Sequence, residues 1–581
     1  MRPHPTQMSS GQRMRLAART PRERFNFPRC AGFAGGSTMN TSAHAFLSVL
    51  AAHGVDRIFQ VPGESYIGLL DAVADFPQID LVTCRHEAGA GFMACADGRL
   101  TRRPGVVMVS RGPGATNASI AVHTAQQDAI PLILVVGQVP KKDLRREAFQ
   151  EIDYRAMYGT IAKWVFEATA PEQLAEIAYK AVRMATTGTP GPVVIAIPED
   201  VQQQAVAPVS WRARPHDGLR ASPEGLARVR SLIEHAQRPL IIAGGAFDVP
   251  GGREALQAFA QAWQIPVCVA FRRHDLFPNS HPLFVGDLGL ANPSAQLDRL
   301  HSSDLILALG TRLDDVTSQN YSFPTLPQPA QPLVHCYPDP RVVGLHFATE
   351  VGLACDPVGL VQDLMPASVA HMPSRESWAR ELRQVHLQIA AWPQRAADDG
   401  VRFVEVVRQL KARAPSDLRV CLDAGTFAAP VYRHFGFDFP QRLMAPLAGA
   451  MGYGTPAAVA TALREPRSRV VCMVGDGGFM MTGNEMIAAV QRRLPILFIL
   501  ANNGSYASIR IHQERAYPTR HPGTDLFNPD FLSIAKGFGM TAERVEREDQ
   551  IEAALQRGLQ AQGPHFIEVM TSLKVTLPQA G

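Results

Sequence analysis

The sequence predicts an α/β protein built from three doubly wound domains, each with a parallel sheet covered by helices. The chain has 581 residues, of which 46% are hydrophobic and 19% charged, a balance typical of globular proteins. That length suggests three or four domains. Short apolar runs alternate with longer helical stretches in three successive blocks, a pattern that indicates parallel strands joined by helical crossovers.

The first block is predicted to form a domain over residues 40–205. It begins with a helix at Ala43–His53, and two further helices are expected around Ala88–Leu100 and Asn117–Gln127. Its strands are predicted at Ile58–Val61, Leu81–Cys84, Val106–Ser110, Leu132–Val136 and Val193–Ile197. The polar segment Ala205–Ser222, which carries prolines and arginines, is predicted to be a linker.

The second block is predicted to form a Rossmann-like domain over residues 222–366. Its strands are expected at Pro239–Gly245, Val267–Phe271, Asp304–Gly310 and Leu333–Cys336. An amphipathic connecting helix follows at Ser374–Trp392. The third block, residues 400–581, opens with a helix at Arg402–Arg413 and a strand at Arg419–Asp423.

Charge and cysteine content exclude several classes of protein. The formal net charge is only +4, which does not indicate a surface that binds nucleic acid. No run of about 18 uncharged apolar residues occurs, so no membrane-spanning helix is expected. The eight cysteines form no CxxC pair, which argues against a zinc site and a disulfide framework and favours a cytoplasmic location.

Residues 1–38 differ in composition from the rest of the chain. They hold seven arginines and one glutamate and lack the apolar stretch of a secretory signal. We interpret this head as a disordered tail or as upstream sequence read from a start before Met39. An Arg-rich transit peptide is the alternative.

The strongest motif lies in Val470–Asn503, which reads as strand, glycine turn, helix and strand. Thr482 and Glu485 are spaced as a capping box and are predicted to start the helix. Asp476 and Asn503 then follow two parallel strands, at the sheet edge where open α/β folds bind ligands. A carboxylate and an amide oxygen there suit Mg²⁺, which prefers to share phosphate oxygens.

The three glycines of this turn add a second part to the motif. Gly475, Gly477 and Gly478 allow backbone N–H groups to approach a diphosphate. A glycine turn followed 24 residues later by Asn502-Asn503 resembles the thiamine diphosphate fingerprint. The resemblance implies that Asp476, Asn503 and the carbonyl oxygen of Ser505 are the metal ligands, and that two of the three domains bind the cofactor.

Four further segments resemble the acetolactate synthase group of this superfamily, in the same order. They are Arg85–Gly91 (RHEAGAG), Ser110–Asn117 (SRGPGATN), Gly137–Pro140 with Ala148–Glu151 (GQVP…AFQE), and Gly449–Pro456 (GAMGYGTP). Together with the diphosphate motif they cover the chain from about Thr41 to Lys574.

The resemblance implies the roles of several residues. Thiamine diphosphate supplies a carbanion at its thiazolium C2. Glu87 matches the glutamate that binds the aminopyrimidine N1′ and favours the imino tautomer, and the small residues after it would let the cofactor ring approach the helix. Met451 matches the residue that wedges beneath the bent cofactor, and the Gly449 carbonyl would accept from its exocyclic amine. Gly112-Pro113-Gly114 would shape a loop near the substrate.

Four candidate substrate residues come from the same segments: Arg111, Gly112, Phe149 and Gln150. His123 and His512 lie outside these segments and are candidate proton relays. Arg111 replaces a small residue of the group, and it would bind either a substrate carboxylate or a neighbouring acid. Biosynthetic acetohydroxyacid synthases, which serve branched-chain amino acid biosynthesis, carry a tryptophan near the position of His512, and its absence argues against that specialised role.

The resemblance implies an enzyme that decarboxylates a 2-oxo acid and transfers the remaining fragment, with pyruvate to acetolactate as the leading reaction. The alternatives are a decarboxylase or carboligase of another 2-oxo acid, a 2-hydroxyacyl-CoA lyase, and a catalytically idle paralogue. Expected partners are a second copy of the chain, as a homodimer or homotetramer with sites at subunit interfaces, and a regulatory subunit. FAD is a further cofactor of some relatives, although Tyr337 replaces an acid of their DxDP pattern and leaves only Asp339.

We expect a variant that lacks residues 1–38 to keep its fold and catalysis, because the basic, turn-rich head precedes the first matched segment. The measurements are circular dichroism and turnover of a 2-oxo acid, compared with the full chain. Loss of activity or precipitation of the shortened protein would identify the head as a structural arm.

Overall fold

Three parallel sheets of six strands each organise the chain, which confirms the predicted fold class. The structure is a computed structural model, and it describes residues 40–213, 218–290, 292–366 and 372–577. The predicted head therefore lies outside the described residues. In the described ranges no helix is long and apolar enough to cross a bilayer.

The first sheet belongs to the amino-terminal domain and has the order β2-β1-β3-β4-β6-β5. Its strands are β1 (Arg57–Gln60), β2 (Asp80–Thr83), β3 (Gly105–Ser110), β4 (Leu132–Gln138), β5 (Trp164–Glu167) and β6 (Pro192–Pro198). The helices are α1 (Ser42–Ala52), α2 (Ile67–Val73), α3 (Glu87–Thr101), α4 (Arg111–Asp128), α5 (Tyr154–Tyr158), α6 (Leu174–Thr186) and α7 (Glu199–Gln202). β4 and β6 are buried along their whole length, as expected for parallel strands covered on both faces.

The middle sheet has the order β9-β8-β7-β10-β11-β12, which is the strand order of a Rossmann fold. Its strands are β7 (Pro239–Ala243), β8 (Val267–Val269), β9 (Phe284–Asp287), β10 (Leu305–Leu309), β11 (Leu333–Cys336) and β12 (Val351–Leu353). The helices are α8 (Pro223–His235), α9 (Gly252–Trp263), α10 (Ser294–His301), α11 (Pro357–Asp363) and α12 (Pro373–Ile389). The connecting helix predicted at Ser374–Trp392 is therefore present as α12.

The third sheet has the order β14-β13-β15-β16-β18-β17, which is the order of the first sheet repeated. Its strands are β13 (Arg419–Leu422), β14 (Arg442–Met444), β15 (Val470–Gly475), β16 (Ile496–Asn502), β17 (Thr541–Val545) and β18 (His565–Met570). The helices are α13 (Phe403–Arg413), α14 (Gly454–Arg464), α15 (Asp476–Thr482), α16 (Met486–Arg492), α17 (Ala507–Ala516), α18 (Phe531–Gly537) and α19 (Ile551–Gln560). The sequence shows no obvious repeat, so the shared topology is visible only at the level of the fold.

The first and third domains share one hydrophobic core. A single cluster contains buried residues of both sheets, among them Val107 on β3 and Phe498 on β16. α3 packs against α14, where the rings of Phe92 and Tyr453 meet edge to face with centroids 5.6 Å apart. These two domains are therefore held as one unit by apolar burial.

Buried charges join the middle domain to the other two. Asp248 and Asp275 of the middle domain both accept from Arg253, at 2.9 and 2.8 Å. Arg442 at the start of β14 reaches the same acids, at 2.6 Å from Asp248 and 3.3 Å from Asp275. Arg99 of α3 lies 3.7 Å from Asp248.

The charges in this cluster keep both acids ionised. Burial by itself would raise the pKa of Asp248, but Arg442, Arg253 and Arg99 hold it well below its usual range. The three domains therefore meet at a network in which each charge has a partner.

Candidate active site

A tight turn after β15 places Asp476 at the carboxyl edge of the third sheet. Asp476 is the first residue of α15 and is nearly buried. A Cβ atom at Gly477 would lie 2.4 Å from the Tyr506 ring, and one at Gly478 would lie 3.1 Å from the Asp423 carboxylate. Close packing therefore disfavours any side chain at Gly477 and leaves little room for one at Gly478.

The segment after β16 lies directly against this turn. The Gly504 N–H donates to Oδ2 of Asp476 at 2.8 Å, so the two halves of the predicted motif meet. Asn503 accepts from the Ser505 N–H at 3.1 Å, and the Ser505 hydroxyl donates to the Thr524 carbonyl at 2.9 Å. Asp476 and the segment Asn503–Ser505 therefore form one hydrogen-bonded cluster at the sheet edge.

Asn528 is part of this cluster and was not predicted. Its amide donates to Asp476 at 2.8 Å and to Asn502 at 2.9 Å. Burial raises the pKa of Asp476, and the hydrogen bond from Asn528 opposes that rise. A lone asparagine in a loop has no local signature, so the motif could not reveal it.

The capping box predicted at Thr482 and Glu485 is wrong. α15 begins at Asp476, and Thr482 ends it without capping a following helix. The Thr482 hydroxyl donates to the Gly452 carbonyl instead. Both side chains make contacts with distant segments, and such contacts take precedence over a local capping preference.

Glu87 is the first residue of α3 and is half-buried. Its Oε2 atom accepts from the Asn117 side chain on α4 at 2.9 Å. The backbone just before it is held by Glu485, whose Oε1 atom accepts from the N–H groups of Arg85 and His86, both at 2.9 Å. Glu485 is fully buried, and burial raises its pKa.

Gly89 and Gly91, which follow Glu87, pack closely against side chains of the same chain. A Cβ at Gly89 would lie 2.6 Å from the Glu485 carboxylate, and one at Gly91 would lie 2.4 Å from the Cβ of Ala121. Side chains of the same chain therefore fill the space beside these glycines. The expectation that the small residues after Glu87 make room for a cofactor ring stays a prediction.

The loop Pro446–Tyr453, called here the cofactor loop, carries Gly449 and Met451 and is held by an acid at each end. Asp423, just after β13, accepts from the N–H groups of Gly452 at 2.9 Å and Gly454 at 3.1 Å. Asp128, at the end of α4, accepts from Leu447 at 2.9 Å and Ala448 at 2.8 Å.

Gly449 lies between these two anchors in a backbone conformation that favours glycine. Its φ is +67°, in the left-handed region, and no atom lies within 4 Å of where its Cβ would be. The cofactor loop therefore presents open space at Gly449, next to the half-buried Met451.

Burial disfavours the ionised form of both acids that hold the cofactor loop, Asp423 and Asp128. Burial raises the pKa of Asp423 to about 6, because the N–H groups of Gly454, Ala424 and Gly452 offset only part of the lost hydration. Burial also raises the pKa of Asp128, although Arg273 and the two loop N–H groups act against the rise. Holding the cofactor loop thus costs free energy at both ends.

Arg111 is paired with acids of its own domain. Its guanidinium lies 2.9 Å from Glu199 and 3.4 Å from Glu64 and is almost completely buried. Arg111 was expected to bind either a substrate carboxylate or a neighbouring acid, and the structure favours the acid. The loop expected at Gly112–Gly114 is wrong, because α4 begins at Arg111 and includes all three residues.

The other candidate substrate residues divide into two groups. Gly112 and Gln150 lie together, since the Gly112 N–H donates to the Gln150 carbonyl at 2.9 Å, and Phe149 beside them is 76% exposed. His123 on α4 and His512 on α17 are exposed as well.

A cavity of about 960 Å³ lies between the first and middle domains. Six basic side chains line it: Arg102, Lys163, Arg183, Arg273, Arg312 and Arg341. Tyr337 also lines the cavity, and Asp339 accepts from the Thr189 N–H at 3.1 Å and from Arg341 at 2.8 Å.

The donor set at the third sheet consists of oxygen atoms, which suit a hard cation such as Mg²⁺. In the described ranges no three acidic, histidine or cysteine side chains converge on a common point. Asp476 would supply a carboxylate ligand, joined by amide and carbonyl oxygens from the segment after β16. Mg²⁺ accepts such a set because it draws its other ligands from phosphate and water.

Comparison with known proteins matches all three domains to domains of one enzyme family. Residues 40–157 match the N-terminal TPP binding domain of thiamine pyrophosphate enzymes, residues 226–364 their central domain, and residues 423–569 their C-terminal TPP binding domain. The chain belongs to the thiamine pyrophosphate enzymes, and within them to the acetolactate synthase-like group.

The relatives cover nearly the full chain. Acetolactate synthase isozyme 2 large subunit of Escherichia coli is 30% identical over 526 residues, or 90% of this chain and 93% of the relative. Acetolactate synthase large subunit of Corynebacterium glutamicum is 30% identical over 531 residues, or 89% and 84%. A probable acetolactate synthase large subunit of Methanocaldococcus jannaschii is 28% identical over 556 residues, or 92% and 93%.

We predict that Asp423→Asn changes the pH dependence of stability. An acid whose pKa rises from 3.8 to about 6 on folding stabilises the protein at low pH and loses that contribution as pH rises through about 6. Between about pH 5 and about pH 7.5 the free energy of unfolding of the cofactor-free parent should fall by about 1.4 kcal/mol more than that of the variant.

The measurement is the thermal midpoint of parent and variant without cofactor at both pH values. Arg272, Tyr432 and Cys472 face Asp423, and they are the same in both proteins, so the difference between the two midpoints isolates the carboxyl group. A difference that does not change with pH would contradict the prediction.

Proposed function

We propose that this enzyme decarboxylates a 2-oxo acid and joins the remaining fragment to a second carbonyl compound, with Mg²⁺ and thiamine diphosphate as cofactors. Two molecules of pyruvate giving 2-acetolactate and CO₂ is the leading reaction. The observation that carries this is the 2.8 Å hydrogen bond from Gly504 to Asp476, because it joins the glycine turn and the asparagine segment into one site.

The third domain would bind the metal and the diphosphate. Asp476, Asn503 and the Ser505 carbonyl oxygen would hold Mg²⁺, and the turn at Gly475, Gly477 and Gly478 would face the phosphates. Asn528 and the Gly504 N–H both donate to Oδ2 of Asp476, and so orient the carboxylate before the ion arrives. That preorganisation lowers the cost of binding.

Glu87 would act on the pyrimidine end of the cofactor. When bound, thiamine diphosphate supplies a nucleophilic carbon at C2 that attacks the 2-oxo group. The Glu87 carboxyl group would hydrogen-bond N1′ and favour the tautomer that can accept the C2 proton. Asn117 and the backbone held by Glu485 fix its position.

The cofactor loop would shape the bent cofactor. Met451 would support it from below, and the Gly449 carbonyl would accept from the exocyclic amine. The open space beside Gly449 supports this, because a side chain there would occupy the approach.

The substrate would lie near Gly112, Gln150 and Phe149 of the first domain. Because Arg111 is paired with Glu64 and Glu199, the substrate carboxylate would be bound by other groups, and the exposed His123 and His512 remain candidates. The domain boundaries at 205, 222, 366 and 400 also remain proposals.

A second copy of the chain is the proposed partner, with the glutamate of one subunit facing the diphosphate site of the other. Ile120 on α4 and Met480 and Met481 on α15 are exposed apolar side chains on the two helices that start at the site edges of the first and third sheets. Burying them against a two-fold mate would create two equivalent sites. A regulatory subunit is proposed because the relatives are named large subunits.

FAD is the third proposed cofactor. The cavity between the first and middle domains offers about 960 Å³ and six basic side chains, which suits a ligand with phosphate groups. Asp339 would have to exchange its contacts with Thr189 and Arg341 before it could bind a ribose. No catalytic step is assigned to this group.

We expect the purified protein with Mg²⁺ and thiamine diphosphate to release CO₂ from pyruvate and to form acetolactate. Acetolactate is detected by its conversion to acetoin in acid, with a colour reaction for acetoin. A chelator should abolish both signals. CO₂ without acetoin would indicate simple decarboxylation, and a panel of other 2-oxo acids would then identify the donor.

We expect Glu87→Gln to slow exchange of the C2 proton by about 10²–10⁴-fold while the cofactor stays bound, because an amide cannot favour the imino tautomer as a carboxyl group can. Exchange into deuterated water is followed by NMR. Glu172→Gln is a matched control, since Glu172 is an exposed acid of the same domain. An unchanged exchange rate would remove Glu87 from the mechanism.

A further inference from the structure

A buried acid of the first domain holds a loop of the third domain. Asp128 is 2% exposed and ends α4, whose first turns lie beside Glu87. Each of its two carboxylate oxygens accepts one N–H of the cofactor loop, Oδ2 from Leu447 and Oδ1 from Ala448. Gly449 is the next residue, and Met451 follows two positions later.

The hydrogen bonds from the cofactor loop to Asp128 fix the position of the loop. Two adjacent N–H groups bound to one carboxylate define both the distance and the orientation of that peptide segment. Arg272 of the middle domain donates to the Pro446 carbonyl, and Arg273 donates to the Asp128 carbonyl at 3.4 Å. The start of the cofactor loop is therefore positioned by groups from both other domains.

We propose that Asp128 is a positioning residue of the active site, which sets the placement of Gly449 and Met451 against the cofactor. The proposal rests on the proposed function, because the roles of Gly449 and Met451 come from it. α4 is 18 residues long and carries Asn117, which contacts Glu87, and Asp128, which holds the cofactor loop. One helix thus carries a contact to each of these segments, and in the proposed dimer the two segments lie in different active sites, so Asp128 acts in the site that contains its own cofactor loop.

A purely structural role would give a different result from a positioning role. Asp97 provides the comparison, because it is also a buried acid of the first domain that contacts the third. Its oxygens accept from Arg464 of α14 at 2.8 and 2.9 Å, and among the described residues it makes no hydrogen bond with the cofactor loop. We expect Asp128→Asn and Asp97→Asn each to weaken the junction of the first and third domains, and only the first to alter the loop.

The experiment uses the full chain with Mg²⁺ and thiamine diphosphate. The readouts are cofactor affinity by calorimetry, C2 proton exchange at saturating cofactor, hydrogen–deuterium exchange of the peptide that contains Leu447 and Ala448, and the thermal midpoint. We expect Asp128→Asn to weaken cofactor binding about tenfold and to slow C2 exchange about 10²-fold, since a misplacement near 1 Å has effects of that order.

The amides of Leu447 and Ala448 should exchange slowly in the parent and faster in Asp128→Asn. Asp97→Asn should lower the thermal midpoint by a similar amount, with cofactor affinity, C2 exchange and loop protection unchanged. If Asp128→Asn does not fold, Asp128→Ser, which leaves room for water to bind the two N–H groups, takes its place.

Three results would overturn the proposal. The first is an Asp128 variant whose cofactor affinity and C2 exchange match those of Asp97→Asn. The second is rapid exchange of the Leu447 and Ala448 amides in the folded parent. The third is a parent that does not bind thiamine diphosphate at all, which overturns the proposed function as well, whereas the first two leave that function intact.

Discussion

The candidate site depends on the buried cluster of charges that joins the three domains. Asp248 and Asp275 share Arg253 and Arg442, and Arg99 completes the set from the first domain. Removing Asp248 would leave the buried Arg99 without its ion-pair partner, and breaking a buried pair in this way costs about 3–5 kcal/mol. Because Arg442 starts β14 and the cofactor loop follows that strand directly, the cluster also determines where the loop begins.

The cofactor loop shows how such a junction can serve a reaction. Backbone N–H groups at its two ends bind Asp128 and Asp423, and Gly449 between them has a left-handed backbone conformation. Both acids have a raised pKa, so the protein gives up stability to keep them in place. A rigid loop with open space beside Gly449 is what a preorganised binding site requires.

Much of the fold and part of the site can be predicted from local sequence patterns. Mostly apolar strands such as β4 and β16 predict a parallel sheet, and a residue just after such a strand must lie at the sheet edge. For that reason the pattern of strands is enough to predict that Asp476 and Asn503 lie close together. The same reasoning fails for Gly112–Gly114, because a glycine–proline sequence also fits the first turn of a helix.

The groups that the sequence does not reveal are those whose partners lie far along the chain. Glu485 contacts Arg85 and His86 across 400 and 399 residues, and Asp128 reaches Leu447 across 319. Each is an ordinary acid on or beside a helix, with no periodicity or turn to mark it. Their importance comes from burial, since an acid without hydration must find N–H donors, and here those donors belong to the segments that carry Glu87 and Gly449. The residues that act on a cofactor can therefore be read from motifs, whereas the residues that hold them in position become visible only when the domains are packed together.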